Sequence, residues 1–361
     1  MELYEEKLQR ISLWLKNKIA PPFKAVIIPT NRCNLKCSFC PNALPRSKGM
    51  YNVKDEVKDE KWVEVVKEGL SIGIREWSII GGGEPLLRYK AAISMIETIK
   101  AFNGITDCEL ITNGTLFQKK DIKNLVMLRL DRIIFSIDAP DAETHDHLRG
   151  VNGAFTRAIS NLKSFVEWKQ KLKLDKPYLK VNMVLNKKNF KKILKMVKFL
   201  SKIKVQELAL HSMRIYWELG NGIKSLVLSP LEKEKLKMQI SKAQLLARKL
   251  GLYLNTDMVE LTPEEHKQVN VNNALRVTCF EPLYSLLITP EGYVGKCAPS
   301  GSGLKELNIN EKSLKEIWYS KELNDIRKMI LAGKIFDSCS KCGLVDMKIH
   351  LANALKKRGL I

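Results

Sequence analysis

Three cysteines, Cys33, Cys37 and Cys40, fall within eight residues of one segment, Cys-Asn-Leu-Lys-Cys-Ser-Phe-Cys. Thiolates are soft ligands suited to iron–sulfur clusters or to zinc. Three of them wrap one corner-sharing iron–sulfur cube while leaving its fourth iron open, and an open iron is a place for chemistry. A structural zinc site would need a fourth ligand, for which His145 and His147 are the candidates.

Four more cysteines, Cys279, Cys297, Cys339 and Cys342, are enough to close a second cube or a tetrahedral zinc site, and only the last pair has tight metal-ligand spacing. The eighth, Cys108, lies in a strand-like stretch and reads as a buried core thiol. A long chain of this kind does not need a disulfide framework, so the grouping points to metal.

The elements that position these residues can be read from hydrophobic periodicity. Short apolar runs at Phe23–Pro29, Glu76–Ile80, Asp107–Thr112, Arg132–Ile137, Leu179–Leu185 and Val205–Leu210 predict strands. Helical patterns over Glu56–Gly69, Tyr89–Ala101, Gln118–Leu128, Ala154–Lys171 and Phe190–Ile203 lie between them. Six such units predict an α/β fold, a partial (β/α)6 TIM-like barrel with a small C-terminal auxiliary cluster domain, whose ligands sit at the carboxyl ends of the strands.

That rule brings four loops to one rim. The three-cysteine loop follows the first strand, Gly81-Gly82-Gly83-Glu84-Pro85 the second, Thr112-Asn113-Gly114 the third and Ser136-Ile137-Asp138 the fourth. Glycines at a strand end let backbone groups approach a ligand, and Pro85 can start a helix. The polar residues of the third and fourth ends are equally the residues that cap helices and make turns. His211, just past the sixth strand, is a candidate acid or base, or a capping or core histidine.

With these motifs the sequence resembles the radical S-adenosylmethionine superfamily, whose three-cysteine motif matches Cys33, Cys37 and Cys40. The resemblance implies a 4Fe-4S cluster whose open iron binds S-adenosylmethionine, reductive cleavage of the sulfonium to a 5'-deoxyadenosyl radical, and hydrogen abstraction from an unreactive carbon. It implies cofactor contacts by Phe39 near the adenine, by Gly81, Gly82, Gly83 and Glu84 near the methionyl amino group, and by Asn113, Ser136 and Asn182. Arg149, in His145-Asp-His147-Leu-Arg149-Gly150, would supply a cationic fork to the carboxylate.

The C-terminal segment, from Cys279 through Pro290-Glu291-Gly292 to Cys297 and then Leu314–Trp318 and Ile326-Arg327, resembles the SPASM or twitch extension. Full SPASM domains hold two auxiliary clusters with seven cysteines; this chain follows Cys342 with none, which implies one auxiliary 4Fe-4S cluster, closed by four thiolates and suited to electron transfer. A possible hairpin, Leu283–Thr289 and Tyr293–Lys296, joins Cys279 to Cys297, and one helical stretch, Leu314–Leu331, leads toward the last pair.

The expected division is an N-terminal amphipathic helix over 1–21, a barrel over 22–212, a bridging helical segment over 213–270 with a helix at Leu231–Leu250, and a cluster domain over 271–361 that ends in a helix at Val345–Lys357. At 361 residues and 45% hydrophobic content there is ample material for a core. No run is long and apolar enough for a stable membrane insertion, and the charged N-terminus lacks signal-peptide features, so the expected location is cytoplasmic.

The net charge of +22 suits RNA, an anionic leader peptide or an acidic surface without choosing among them. The leading expectation is an oxidative radical enzyme served by a reducing donor such as flavodoxin or ferredoxin, acting on a small molecule, peptide or RNA. The alternatives are a basic nucleic-acid-binding or RNA-modifying iron–sulfur protein and a peptide- or protein-modifying maturase.

Overall fold

The computed structural model describes residues 2–213, 221–259, 279–295, 297, 303–334 and 345–360. In chain order the strands are β1 (Lys24–Ile27), β2 (Glu76–Ile79), β3 (Asp107–Thr112), β4 (Arg132–Ser136), β5 (Tyr178–Leu185), β6 (Glu207–Ser212), β7 (Tyr253–Met258), β8 (Ser285–Ile288), β9 (Tyr293–Gly295) and β10 (Gly303–Asn308). The longer helices are α1 (Glu2–Leu15), α2 (Asp59–Ser71), α3 (Tyr89–Lys100), α4 (Lys119–Met127), α5 (Ala142–Arg149), α6 (Ala154–Leu172), α7 (Ile193–Lys202), α8 (Pro230–Lys249), α9 (Lys321–Leu331) and α10 (Val345–Lys357). Strands alternate with helices, as the periodicity predicts for the parallel α/β class.

Two compact units form. One draws on residues within 1–30, 52–108 and 262–361, the other on 31–51 and 109–261. In the first, β1 pairs in parallel with β2 and also with β8, and β8, β9 and β10 continue as an antiparallel ribbon. In the second, β3, β4, β5, β6 and β7 follow one another in parallel register. The parallel partners β7 and β8 extend the six-strand expectation. β7 escapes the sequence pattern because Tyr253–Met258 carries polar residues and is only partly buried.

In the first unit, α1 buries Leu8, Ile11 and Trp14 against its own unit, in keeping with an amphipathic helix that packs rather than lies free. Trp14 meets Trp318 edge-on at 6.4 Å. Arg327, 1% exposed, stacks on Trp318 at 3.8 Å and near Trp14 at 4.7 Å. It donates to the Pro282 and Trp318 carbonyls and to Asn324. Burial pulls its pKa down to about 9, and the two indole faces offset part of that cost.

The single helix expected over Leu314–Leu331 is in fact two, Leu314–Trp318 and α9. Ser320 accepts from the Leu323 N–H and starts a new helix, while Arg327 occupies the carbonyl that ends the old one. Replacing Arg327 by leucine would leave two buried carbonyls without donors. The expected loss is about 2–4 kcal/mol, read by chemical denaturation.

No described helix is long and apolar enough to cross a membrane. Cys108 is fully buried, as a core thiol should be.

Candidate active site

The three-cysteine loop belongs to the second unit and has no regular structure of its own, so its shape comes from what it is tied to. The Lys36 and Ser38 N–H groups donate to the Arg149 and Leu148 carbonyls at 3.0 and 2.9 Å, zipping the loop onto the end of α5. Gly150, at φ 68°, closes α5 in the left-handed region, and a Cβ there would meet the Lys36 carbonyl oxygen at 2.4 Å. Leu35, Cys37 and Phe39 pack with Leu148, Ala154 and Leu226, and Cys33 and Cys40 border the same cluster. The apolar side chains face inward and fix the thiols.

The other edge of the loop is held by amides. Asn113 donates to Asn34 Oδ1 at 2.9 Å, Asn34 donates to Thr115 Oγ1 at 2.9 Å, and Asn113 Oδ1 accepts from Thr115. Asn113, expected to touch cofactor, has its amide engaged in orienting the loop. Its partner Asn34 was not singled out in the sequence, because the pairing spans 79 positions.

Each thiol has an N–H donor beside it among the described residues. Leu35 N lies 3.5 Å from Cys33 Sγ, Arg149 Nη1 3.7 Å from Cys37 Sγ, and Arg46 Nη2 3.1 Å from Cys40 Sγ. Burial pushes the Cys37 thiol up, with Arg149 opposing and the neighbouring cysteines adding to the rise. Deprotonation would therefore be driven by metal ligation. Among the described residues no three His, Cys, Asp or Glu side chains converge on a single-ion site. A cube takes one thiolate per iron, so three cysteines of one loop, with no fourth ligand gathered beside them among the described residues, suit it better than they suit one zinc ion.

Behind Cys37 stands a buried ion pair. Asp138 is fully buried, and its Oδ2 lies 2.7 Å from Arg149 Nε, at ion-pair distance though off the line of a hydrogen bond. Its Oδ1 accepts from the Val184 N–H at 2.9 Å. Burial raises the Asp138 pKa while Arg149 opposes; for Arg149, burial is outweighed by Asp138 and Cys37, which hold it charged. Asp138 stands in the Ser136-Ile137-Asp138 strand end, where it read as turn chemistry, and its pairing with Arg149 at the end of α5 was not anticipated.

The Arg149 guanidinium also lies 5.5 Å from the centre of the Phe39 ring. Cys37, Phe39, Cys40, Arg149, Val184, His211, Met213 and Met258 line one cavity of about 290 Å³. The first four are expected site residues, and His211 joins them as the substrate-side candidate. Met213 and Met258 were not anticipated, since methionines at strand ends read as core.

Ser136 and Asn182 stand directly opposite each other on β4 and β5 and are not among the residues lining that cavity. His145 is buried, and its Nδ1 accepts from the Asp138 N–H, while His147 is exposed; neither joins a metal-ligand group among the described residues.

In the first unit, Gly81, Gly82, Gly83 and Glu84 follow β2. A Cβ on Gly81 would lie 1.8 Å from the Gly83 carbonyl oxygen, so the turn requires glycine there. Glu84 is buried and accepts from the Leu86 N–H at 3.1 Å, capping the turn that begins at Pro85. Cys279 and Cys297 are both partly exposed and flank the β8–β9 hairpin. Cys339 and Cys342 lie outside the described residues.

Removing a cation beside a cluster sulfur destabilises the more negative, reduced state. Arg46→Met is therefore expected to lower the midpoint potential of the reconstituted first cluster, measured by a redox titration followed by electron paramagnetic resonance.

The family model described as the radical SAM superfamily matches residues 27–200, and the SPASM model, an iron–sulfur cluster-binding domain, matches 279–343. The chain is 28% identical to the AdoMet-dependent heme synthase of Methanosarcina barkeri, over 87% of this chain and 86% of the relative. It is 24% identical to the PqqA peptide cyclase of Methylocella silvestris, over 84% and 75%. The crystal structure of Streptococcus suis SuiB bound to S-adenosylmethionine matches the fold with a TM-score of 0.64 at 22% identity, over 92% of this chain and 73% of that one.

Proposed function

The chain belongs to the radical S-adenosylmethionine superfamily and carries a SPASM iron–sulfur domain, and from that premise we propose that it couples radical formation to the net oxidation of a peptide. Its cofactors are the S-adenosylmethionine-binding 4Fe-4S cluster, S-adenosylmethionine and auxiliary iron–sulfur. We assign the chemistry to 22–212 and auxiliary electron transfer to 271–361, with Cys279, Cys297, Cys339 and Cys342 holding one cluster. The observation that carries the reading is the convergence of Cys37, Cys40, Phe39 and Arg149 on one cavity.

Cys33, Cys37 and Cys40 would hold a cube with one open iron, and such a group would supply the single electron for reductive cleavage of S-adenosylmethionine. The residues of the chain do the rest. Arg149, held from behind by Asp138, presents a fixed cation to a carboxylate. Phe39 offers a flat apolar face to the adenine. Val184, Met213 and Met258 give the cavity apolar walls that limit water near a reactive carbon. His211 is placed to take the proton released when the substrate radical is oxidised.

A peptide substrate is supported by the likeness to a peptide cyclase. The reaction needs an external reductant, for which we propose a flavodoxin or ferredoxin. Anaerobic reconstitution and reduction should yield 5'-deoxyadenosine from S-adenosylmethionine, and alanine at Cys33, Cys37 and Cys40 should abolish it. No product from fully loaded, reduced protein would overturn the reading.

A further inference from the structure

Helix α8 is apolar on two opposite faces. Leu236, Ile240, Ala243 and Ala247 are buried, and α8 packs there against α7 within the second unit. The opposite side is a single row in which large apolar residues alternate with lysines at i, i+4 and i+7: Leu231, Lys235, Met238, Lys242, Leu245 and Lys249. Leu231, Met238 and Leu245 are 66%, 59% and 68% exposed. Three such side chains on one row repeat at the heptad interval, which is the spacing of one of the two core positions of a helix–helix seam, with lysine standing at the other.

The charges choose the occupant. Among the described residues none of Lys235, Lys242 and Lys249 forms an ion pair. The two acids of α8 are engaged elsewhere, Glu232 at the Ser229 cap and Glu234 with Lys237 at 3.1 Å. The neighbouring α7 contains no acidic residue and exposes Lys195, Lys198 and Lys202. A second copy of this chain docking through the same row would set lysine against lysine. An anionic membrane would meet a row only one residue wide, narrower than the broad apolar face by which amphipathic helices bury themselves in an interface.

We propose that the outward row of α8 is a docking seam for an acidic amphipathic helix of a partner protein, its apolar stripe on Leu231, Met238 and Leu245 and its carboxylates on Lys235, Lys242 and Lys249. The inference is independent of which carbon the enzyme attacks.

The probe is a fluorescein-labelled synthetic helix of three heptads, with leucines at seven-residue spacing flanked by glutamates, titrated against the full chain by fluorescence anisotropy. Binding should saturate and weaken with salt. It should fall about tenfold or more in the variant Lys235→Glu, Lys242→Glu, Lys249→Glu, and equally in Leu231→Ser, Met238→Ser, Leu245→Ser. Both variants should keep the wild-type yield of 5'-deoxyadenosine, which separates this surface from the radical site. Equal binding of a scrambled peptide of the same composition would overturn the seam. So would wild-type binding by either variant, binding to anionic vesicles but not to the peptide, or self-association that the serine variant abolishes.

Discussion

Arg149→Met is expected to destabilise the apo protein by about 3–5 kcal/mol, because it strands the Asp138 carboxylate in a fully buried site. The Val184 N–H remains as a donor, but one neutral donor does not replace the guanidinium. Asp138→Asn removes the charge instead of its partner and leaves Arg149 buried, so it too should cost stability. The double variant should recover a large part of the loss. Denaturant titrations of all four proteins give the coupling energy directly. Affinity for S-adenosylmethionine, measured by equilibrium dialysis on the reconstituted protein, should stay low in both variants that lack the Arg149 fork.

Acid should open the same region through His145. Burial first, and then the charge of Arg149, lower its pKa from 6.5 to about 3, with Asp141 opposing. The folded state holds the imidazole neutral, with Nδ1 accepting from the Asp138 N–H. The unfolded chain binds a proton as the pH falls below about 6.5, and the folded chain does not until about 3. Stability is therefore full above the unfolded value and drains away across that window. The expected loss is roughly 2–3 kcal/mol between about pH 7.5 and 4.5. His145→Gln keeps an acceptor without the titration, so its stability should fall less steeply over the same range in denaturant melts.

Much of the site was legible in the chain because its signals are local. Cysteine spacing, a glycine turn after a strand and an Arg-Gly ending to a helix are each contained in a few residues. What stayed hidden depends on side-chain pairings that neither spacing nor periodicity reports. Asn113 looked like a ligand-facing residue until Asn34 was found opposite it. Asp138 looked like turn chemistry until it was seen behind Arg149. Arg46 gave no signal, since it lies in a five-residue helix, Ala43–Ser47, too short to show periodicity, and acquires meaning from the Cys40 sulfur. The same holds for the fold: the β8–β9 hairpin is a local pattern, whereas the parallel pairing of β8 with β1 is a contact across most of the chain that no window of sequence contains.

The zip between Lys36, Ser38 and the end of α5 has a consequence for how the protein is built. A segment as short as the cysteine loop could gather iron from an unfolded chain and lock in whatever shape it held. Here the loop's final shape is held by carbonyls more than a hundred positions downstream. A chain truncated before Leu148 would lack both of the acceptors that hold Lys36 and Ser38, and its three thiols would have no template for their positions.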